Sequence, residues 1–227
     1  MFIGHLAVGF AAKRAAPRAG LGALMAAPIL LDLIWPVLVI AGVEVVRVDP
    51  GNTAFTPLDF VSYPWSHSLA LALVWAALFA GGYWAVTRYT AGAAVIGAGV
   101  VSHWVLDFAS HRADMPLWPG GPRVGLGLWN SVPATLVVEV LMFAAGLALY
   151  LASTRARDRT GALALAGFVA FQSLLYLGNL LGPPPPSGAA VAWVALAQWL
   201  WIPWAAWIDR HREPRPRPQR VAGVLAT

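Results

Sequence analysis

His103, Asp107 and His111 recur at steps of four through SHWVLDFASH, residues 102–111. They close a stretch, AGAAVIGAGVV, composed for lipid. On a helix a step of four is one turn plus about 40°, so His103 and Asp107 face the same way. Neutral imidazole and carboxylate are the ligands that zinc and similar divalent ions take. Ionisable residues within an apolar span are costly, and each marks a functional hypothesis. The chain has few others: His5, Asp32, His67 and Glu139. Carboxylates grouped in a low dielectric repel one another and hold protons, and a divalent cation removes that penalty. The pattern therefore predicts a metal site of one or two ions, zinc first by ligand type.

The chemistry such a site offers is hydrolysis, because a bound metal lowers the pKa of water and stabilises charge on phosphoryl oxygens. Asp107 is the expected bridging ligand if two ions bind, and Asp32 a ligand that also orients the water. Arg112 and Arg123 are placed to clamp a phosphate. His111 is open between ligation and a surface role, since Arg112 and Asp114 follow it. Glu139 is open between ligation and pairing with Arg112 or Arg123.

The positioning elements follow from composition. The chain is 59% hydrophobic and 11% charged, with a mean hydropathy of +0.67, against about 25% charged residues in soluble domains. That predicts an all-α, polytopic membrane bundle. A span needs about 20 apolar residues. The segments 20–43, 67–87, 91–111, 132–152, 161–181 and 189–208 supply six, with Ser66 the expected N-cap of the second. Residues 2–12 are too short to cross and predict a half-span. By helical rise His103 lies roughly 12 Å deeper than His111. All the ionisable groups can then meet in one half of the bilayer, and the N-terminal half-span can bring His5 and the Met1 amine to that level.

Orientation follows the positive-inside rule. With Lys13, Arg14 and Arg18 in the cytoplasm, six alternating spans put twelve of the fifteen Lys and Arg on that side, leaving Arg47, Arg112 and Arg123 outside. The integral domain is expected over 1–209. A basic, Pro- and Arg-rich, disordered cytoplasmic tail follows over 210–227, with His211 solvated near anionic lipid. The basic balance belongs to membrane loops, so no nucleic-acid partner is expected. No cysteine is present, which excludes disulfides and thiolate ligands.

With these residues named, the chain resembles the bacterial inner-membrane family known as membrane-bound metal-dependent hydrolases. That family is grouped with zinc-dependent phospholipase C and related single-strand nucleases. The resemblance covers about residues 1–145. It rests on GH (His5), LLDLIWP (Asp32), PWSHSL (His67), SHWVLD (His103, Asp107) and the LWP and GLGLWNS loop before Glu139. It implies a phosphoester hydrolase, acting on a phospholipid headgroup or similar substrate, in the bacterial inner membrane. It also implies that the terminal amine is a ligand. Two departures stand: three residues separate Asp107 from His111 where the soluble pattern has five, and Thr135 holds a position that is His there. Three other readings remain at this level: a metal transporter or sensor, a haem protein and a non-catalytic scaffold.

Overall fold

The computed structural model describes residues 1–215, so Arg217 and Arg220 of the expected tail lie outside the described residues. The described residues form a helical bundle with three small two-stranded sheets at its ends. In chain order it runs α1 (Ile3–Ala15), α2 (Leu21–Ala26), α3 (Leu30–Ile40), β1 (Val45–Val48), β2 (Leu58–Ser62), α4 (Pro64–His67), α5 (Leu69–Thr87) and α6 (Thr90–Ser110). After β3 (Met115–Pro116) and β4 (Arg123–Val124) come α7 (Val132–Ser153), β5 (Thr154–Ala156), α8 (Arg159–Leu181), α9 (Gly188–Ala195), α10 (Trp201–Arg210) and β6 (Arg212–Pro214). Among the described residues, five helices are long and apolar enough to cross a membrane: α5, α6, α7, α8 and the continuous run Gly188–Arg210 that contains α9 and α10.

The sixth expected span, 20–43, is two helices. α2 stops at Ala26, and α3 is a shorter apolar helix of eleven residues. Pro28 lies in the break; it has no N–H and its ring clashes with the preceding turn. A break at membrane depth is tolerated where it is buried in protein, and Ala27 and Ile29 are each 1% exposed.

α1 runs inside the bundle. Its Ile3, Gly4, His5, Leu6, Ala7, Gly9, Phe10 and Lys13 are buried. Phe10 packs against Phe143, Tyr150 and Phe168, with ring centroids 6.0, 5.2 and 6.1 Å away. α1 also crosses α7 at Gly146, where a Cβ would stand 2.3 Å from the Ala7 carbonyl oxygen. Only glycine permits that approach, and it is what admits a half-length helix to the interior.

The two ends of the bundle differ. At one end Lys13 Nζ bonds Asp209 Oδ1 at 2.7 Å, and β5 pairs with β6. The expected disordered tail therefore begins with an ordered strand, because Arg212 is buried and bonded to Thr154 Oγ1 at 3.1 Å. His211 Nδ1 sits 2.8 Å from Asp158 Oδ2, so it is paired. At the other end the β1–β2 hairpin and the 125–130 loop close over α6. Gly125 has no room for a Cβ, which would lie 2.0 Å from the Arg112 oxygen. Gly127 takes a left-handed φ of 74° and donates to the His111 carbonyl at 2.7 Å. Phe55 N donates to the Trp129 carbonyl at 3.0 Å, locking hairpin to loop.

Candidate metal centre

Four elements converge beneath this roof. α6 presents His103 and Asp107 on one face and ends at His111; α1 presents His5, α3 Asp32 and α4 His67. Asp107 is the hub. Its Oδ2 lies 3.0 Å from His103 Nε2, 3.8 Å from His67 Nε2 and 3.9 Å from His111 Nε2. Its Oδ1 lies 3.0 Å from His5 Nε2 and also takes the Met1 amine. Asp32 Oδ1 is 3.5 Å from His67 Nε2 and 3.9 Å from His103 Nε2. His67 Nε2 and His103 Nε2 are 3.2 Å apart. Donors held about 2.1 Å from one tetrahedral ion stand about 3.4 Å from each other. Asp32, His67 and His103, with separations of 3.2 to 3.9 Å, come near that spacing and form one group able to hold an ion. His5, His103 and Asp107 form a second group able to hold an ion.

The Nδ1 atoms of three of these imidazoles each meet an acceptor. His103 Nδ1 is 2.8 Å from the Pro28 carbonyl, and a carbonyl only accepts, so Nδ1 carries the proton. The break between α2 and α3 supplies that acceptor. His67 Nδ1 is 2.7 Å from Ser66 Oγ, whose own hydrogen goes to Glu44 Oε2 at 2.6 Å. Ser66 therefore accepts from Nδ1–H. His111 Nδ1 is 3.0 Å from Asp114 Oδ1. Burial alone would raise the Asp114 carboxyl, but the His111 hydrogen bond, aided by Tyr63 and Arg112, holds it below the usual range. Burial, with Asp114 opposite, pushes the Tyr63 hydroxyl well up, so Tyr63 donates to Asp114 at 2.9 Å. In the neutral form all three imidazoles thus carry hydrogen on Nδ1. Their Nε2 lone pairs aim at one another and at two carboxylates.

His5 is the exception. Its ring stacks on His103 at 3.9 Å, and its Nδ1 is buried with no protein partner. Its Nε2 lies 3.0 Å from Asp107 Oδ1, which accepts, so neutral His5 carries its hydrogen on Nε2, the reverse of the other three.

The remaining expected site residues fall as follows. His111 is buried, 3% exposed, under Trp129 and Phe60, with ring centroids 4.3 and 4.9 Å away. It joins the cluster rather than the surface. Glu139 is also buried, and pairs with neither Arg112 nor Arg123. Its Oε2 accepts from Phe2 N at 2.9 Å and Gly4 N at 3.2 Å, while Oε1 has no protein partner. It anchors the start of α1, which positions His5. Arg112 bonds Asp59 at 2.5 Å and Asp114 at 3.3 Å, with its side chain 43% exposed. Arg123 is exposed and donates to the Val61 carbonyl at 3.0 Å. Ser66 does not cap α5; Ser68 does, accepting from Leu71 N at 3.3 Å. Asp32 keeps 29% of its side chain exposed, whereas Asp107, His67 and His103 are each at or below 4%.

Sequence reasoning missed Glu44, Tyr63 and the Pro28 carbonyl. Asp114 was seen, but as a boundary residue. No family model, no curated protein and no solved structure matches the chain.

Proposed function

We propose that this chain is a membrane-embedded, metal-dependent hydrolase of a phosphoester, a phospholipid headgroup being the substrate class its surroundings favour. One observation carries the reading: buried imidazole Nε2 atoms, stripped of protons by their Nδ1 partners, converge on Asp32 and Asp107. Two lone pairs 3.2 Å apart repel, so a proton or a cation belongs between them. A divalent cation would satisfy Asp32, His67 and His103 together, or His5, His103 and Asp107, and nitrogen with carboxylate oxygen selects zinc first. An ion held there would acidify a water and stabilise charge on phosphoryl oxygens.

The protein's own residues have separable roles. Asp107 faces His5 and the Met1 amine with one oxygen and His67, His103 and His111 with the other, which suits a bridge between two ions. Asp32, the exposed member of the set, orients water at the opening. Arg112 and Arg123, at the same end, receive the phosphate. Arg112 must release Asp59 to do so. The resemblance to membrane-bound metal-dependent hydrolases supports the same assignment. The Lys and Arg distribution supports an orientation in which the His111 end faces away from the cytoplasm, and the resemblance implies a bacterial inner membrane.

Two experiments test this. Elemental analysis of the purified protein should find one to two divalent ions per chain. Asp107→Asn should lose them, together with hydrolysis of a phosphodiester and phospholipid panel. Full occupancy in Asp107→Asn defeats the ligand set, and metal without hydrolysis on a broad panel defeats the enzyme. For orientation, Arg155→Cys is the sole thiol in the chain. An impermeant reagent should leave it unlabelled in intact cells, and labelling reverses the topology.

A further inference from the structure

Glu44 is 1% exposed, immediately before β1, and no ligand set includes it. A buried carboxylate calls for partners, and its partners are specific. Oε1 accepts from Trp65 N and Ser66 N, both at 2.8 Å. Oε2 accepts the Ser66 hydroxyl at 2.6 Å. The carboxylate meets three donors and no acceptor. Ser66 has one hydroxyl hydrogen, and Glu44 takes it. What remains toward His67 is a lone pair, and His67 Nδ1 lies 2.7 Å from it.

We propose that Glu44 is a positioning residue that acts through Ser66: by claiming the hydroxyl proton it compels His67 to carry hydrogen on Nδ1 and to present a bare Nε2 to Asp32, His103 and Asp107. The inference rests on the reading of the cluster as a metal centre, but its first consequence concerns only a proton. His103 obtains the same result directly from the Pro28 carbonyl, and His111 from Asp114. A serine is different, because a hydroxyl can donate as readily as accept. Ser66 alone would leave the His67 tautomer undecided, and Glu44 decides it. Partners of this kind, behind a ligating histidine, typically change metal affinity 10- to 100-fold.

Glu44→Gln isolates the effect. The amide oxygen still accepts from Trp65 N and Ser66 N, so α4 stays anchored. The amide nitrogen, standing where Oε2 was, donates to Ser66 Oγ. The hydroxyl hydrogen then turns toward His67 Nδ1 and drives the ring proton to Nε2, where it blocks ligation. Ser66→Ala removes the hydroxyl and leaves Nδ1 free to be protonated. The expected order of zinc affinity is wild type, then Ser66→Ala weaker by about 10-fold, then Glu44→Gln weaker by about 100-fold. The double variant should return to the Ser66→Ala level, because no hydroxyl remains to deliver the wrong proton. An anchoring role alone predicts that the double variant is the worst of all, and that result overturns the proposal.

Nitrogen-15 spectra of the metal-free protein, with His67 assigned through His67→Ala, give a readout that needs no metal. Wild type should show hydrogen on Nδ1 of His67, and Glu44→Gln should show it on Nε2. An unchanged tautomer in Glu44→Gln overturns the proposal. Should wild type bind no zinc, the metal reading falls, while the spectra still decide the role of Glu44.

Discussion

α1 ends in two buried polar environments that are chemical opposites. Toward its C-terminus Lys13, 4% exposed, meets Asp209 and the Ala19 carbonyl, both acceptors. Nearby, Arg212 directs its guanidinium at Thr154 and at the Gly161 carbonyl, and lies 5.3 Å from the Tyr150 ring centroid. Both cations thus face acceptors, and Arg212 a π face as well, although the buried Tyr150 hydroxyl beside them has no protein partner. About 12 Å along the helix, His5 enters a cluster in which the Met1 amine donates to Asp107, but the Nε2 atoms of neutral His67 and His103 face each other and the carboxylate oxygens of Asp32 and Asp107. Buried polar groups are normally satisfied within the protein. Lys13 and Arg212 obey that rule and hold the fold. The His5 end breaks it among the neutral imidazoles, and burial leaves water little room to relieve the conflict. A protein keeps such an arrangement where something else supplies the missing charge. On the proposed reading, the two ends separate polar burial that stabilises from polar burial that a ligand would complete.

Replacing one ligand should break the contrast most sharply. His103→Leu removes the atom common to both candidate metal groups. Zinc affinity should fall by at least about 100-fold, more than the loss of a supporting partner costs. A ligand at 100 times its Kd raises folding stability by about 2.7 kcal/mol, and that zinc-induced thermal shift should vanish in the variant. Metal-free stability should change by only about 1 kcal/mol, the typical worth of the lost Pro28 hydrogen bond. A zinc-induced shift that survives in His103→Leu would remove His103 from the centre.

The opposite pattern is expected at Lys13. Lys13→Met leaves Asp209 without its partner and should cost about 2 kcal/mol. That is below the 3–5 kcal/mol typical of a fully buried pair, because Asp209 keeps 22% of its side chain exposed. Zinc affinity should stay within about threefold of wild type. Lys13→Met with Asp209→Leu should recover part of the loss, since no orphan charge remains. Unfolding curves with and without zinc read both quantities. A Lys13 variant that loses zinc but keeps its stability would erase the distinction between the two ends.

The sequence disclosed these regions unequally. The long helices were legible because twenty apolar residues have few other uses. His103 and Asp107 were legible because a helical step of four fixes their common face. Asp32 and His67 could be placed by depth alone, since helical rise converts residue number to height. The break at Pro28 was not legible. LLDLIWP after a proline reads equally as one kinked span, and only the packing of Ala27 and Ile29 decides it. Glu44, Tyr63 and Asp114 were obscured for a different reason. They lie in connections where charge is expected to be solvated, and a fold-back such as the Phe55–Trp129 lock leaves no local periodicity. The strand Arg212–Pro214 was hidden by composition, since HREPRPRPQR has the character of a solvated tail. Its order comes from a distant partner, Thr154.

That strand supplies the smallest effect. Across the β5–β6 pair Arg155 reaches Glu213 at 2.6 Å, and Arg157 reaches the same carboxylate at 3.6 Å. Two arginines on one glutamate look like an anchor for the Lys13 end. Their side chains, however, are 62% and 56% exposed, and Glu213 is 33% exposed. Solvent screens such pairs to about 0–1 kcal/mol, and holding long side chains still costs entropy. Arg212 differs because its guanidinium is buried and its hydrogen bonds run to fixed positions on Thr154 and Gly161. If burial is what makes this end structural, Glu213→Ala should shift stability by no more than about 0.5 kcal/mol and leave zinc binding untouched. Arg212→Ala should cost clearly more, through unsatisfied acceptors and lost packing on Tyr150. Equal losses in the two variants would mean that the exposed pairs carry the strand, and that pairing rather than burial sets the two ends of α1 apart.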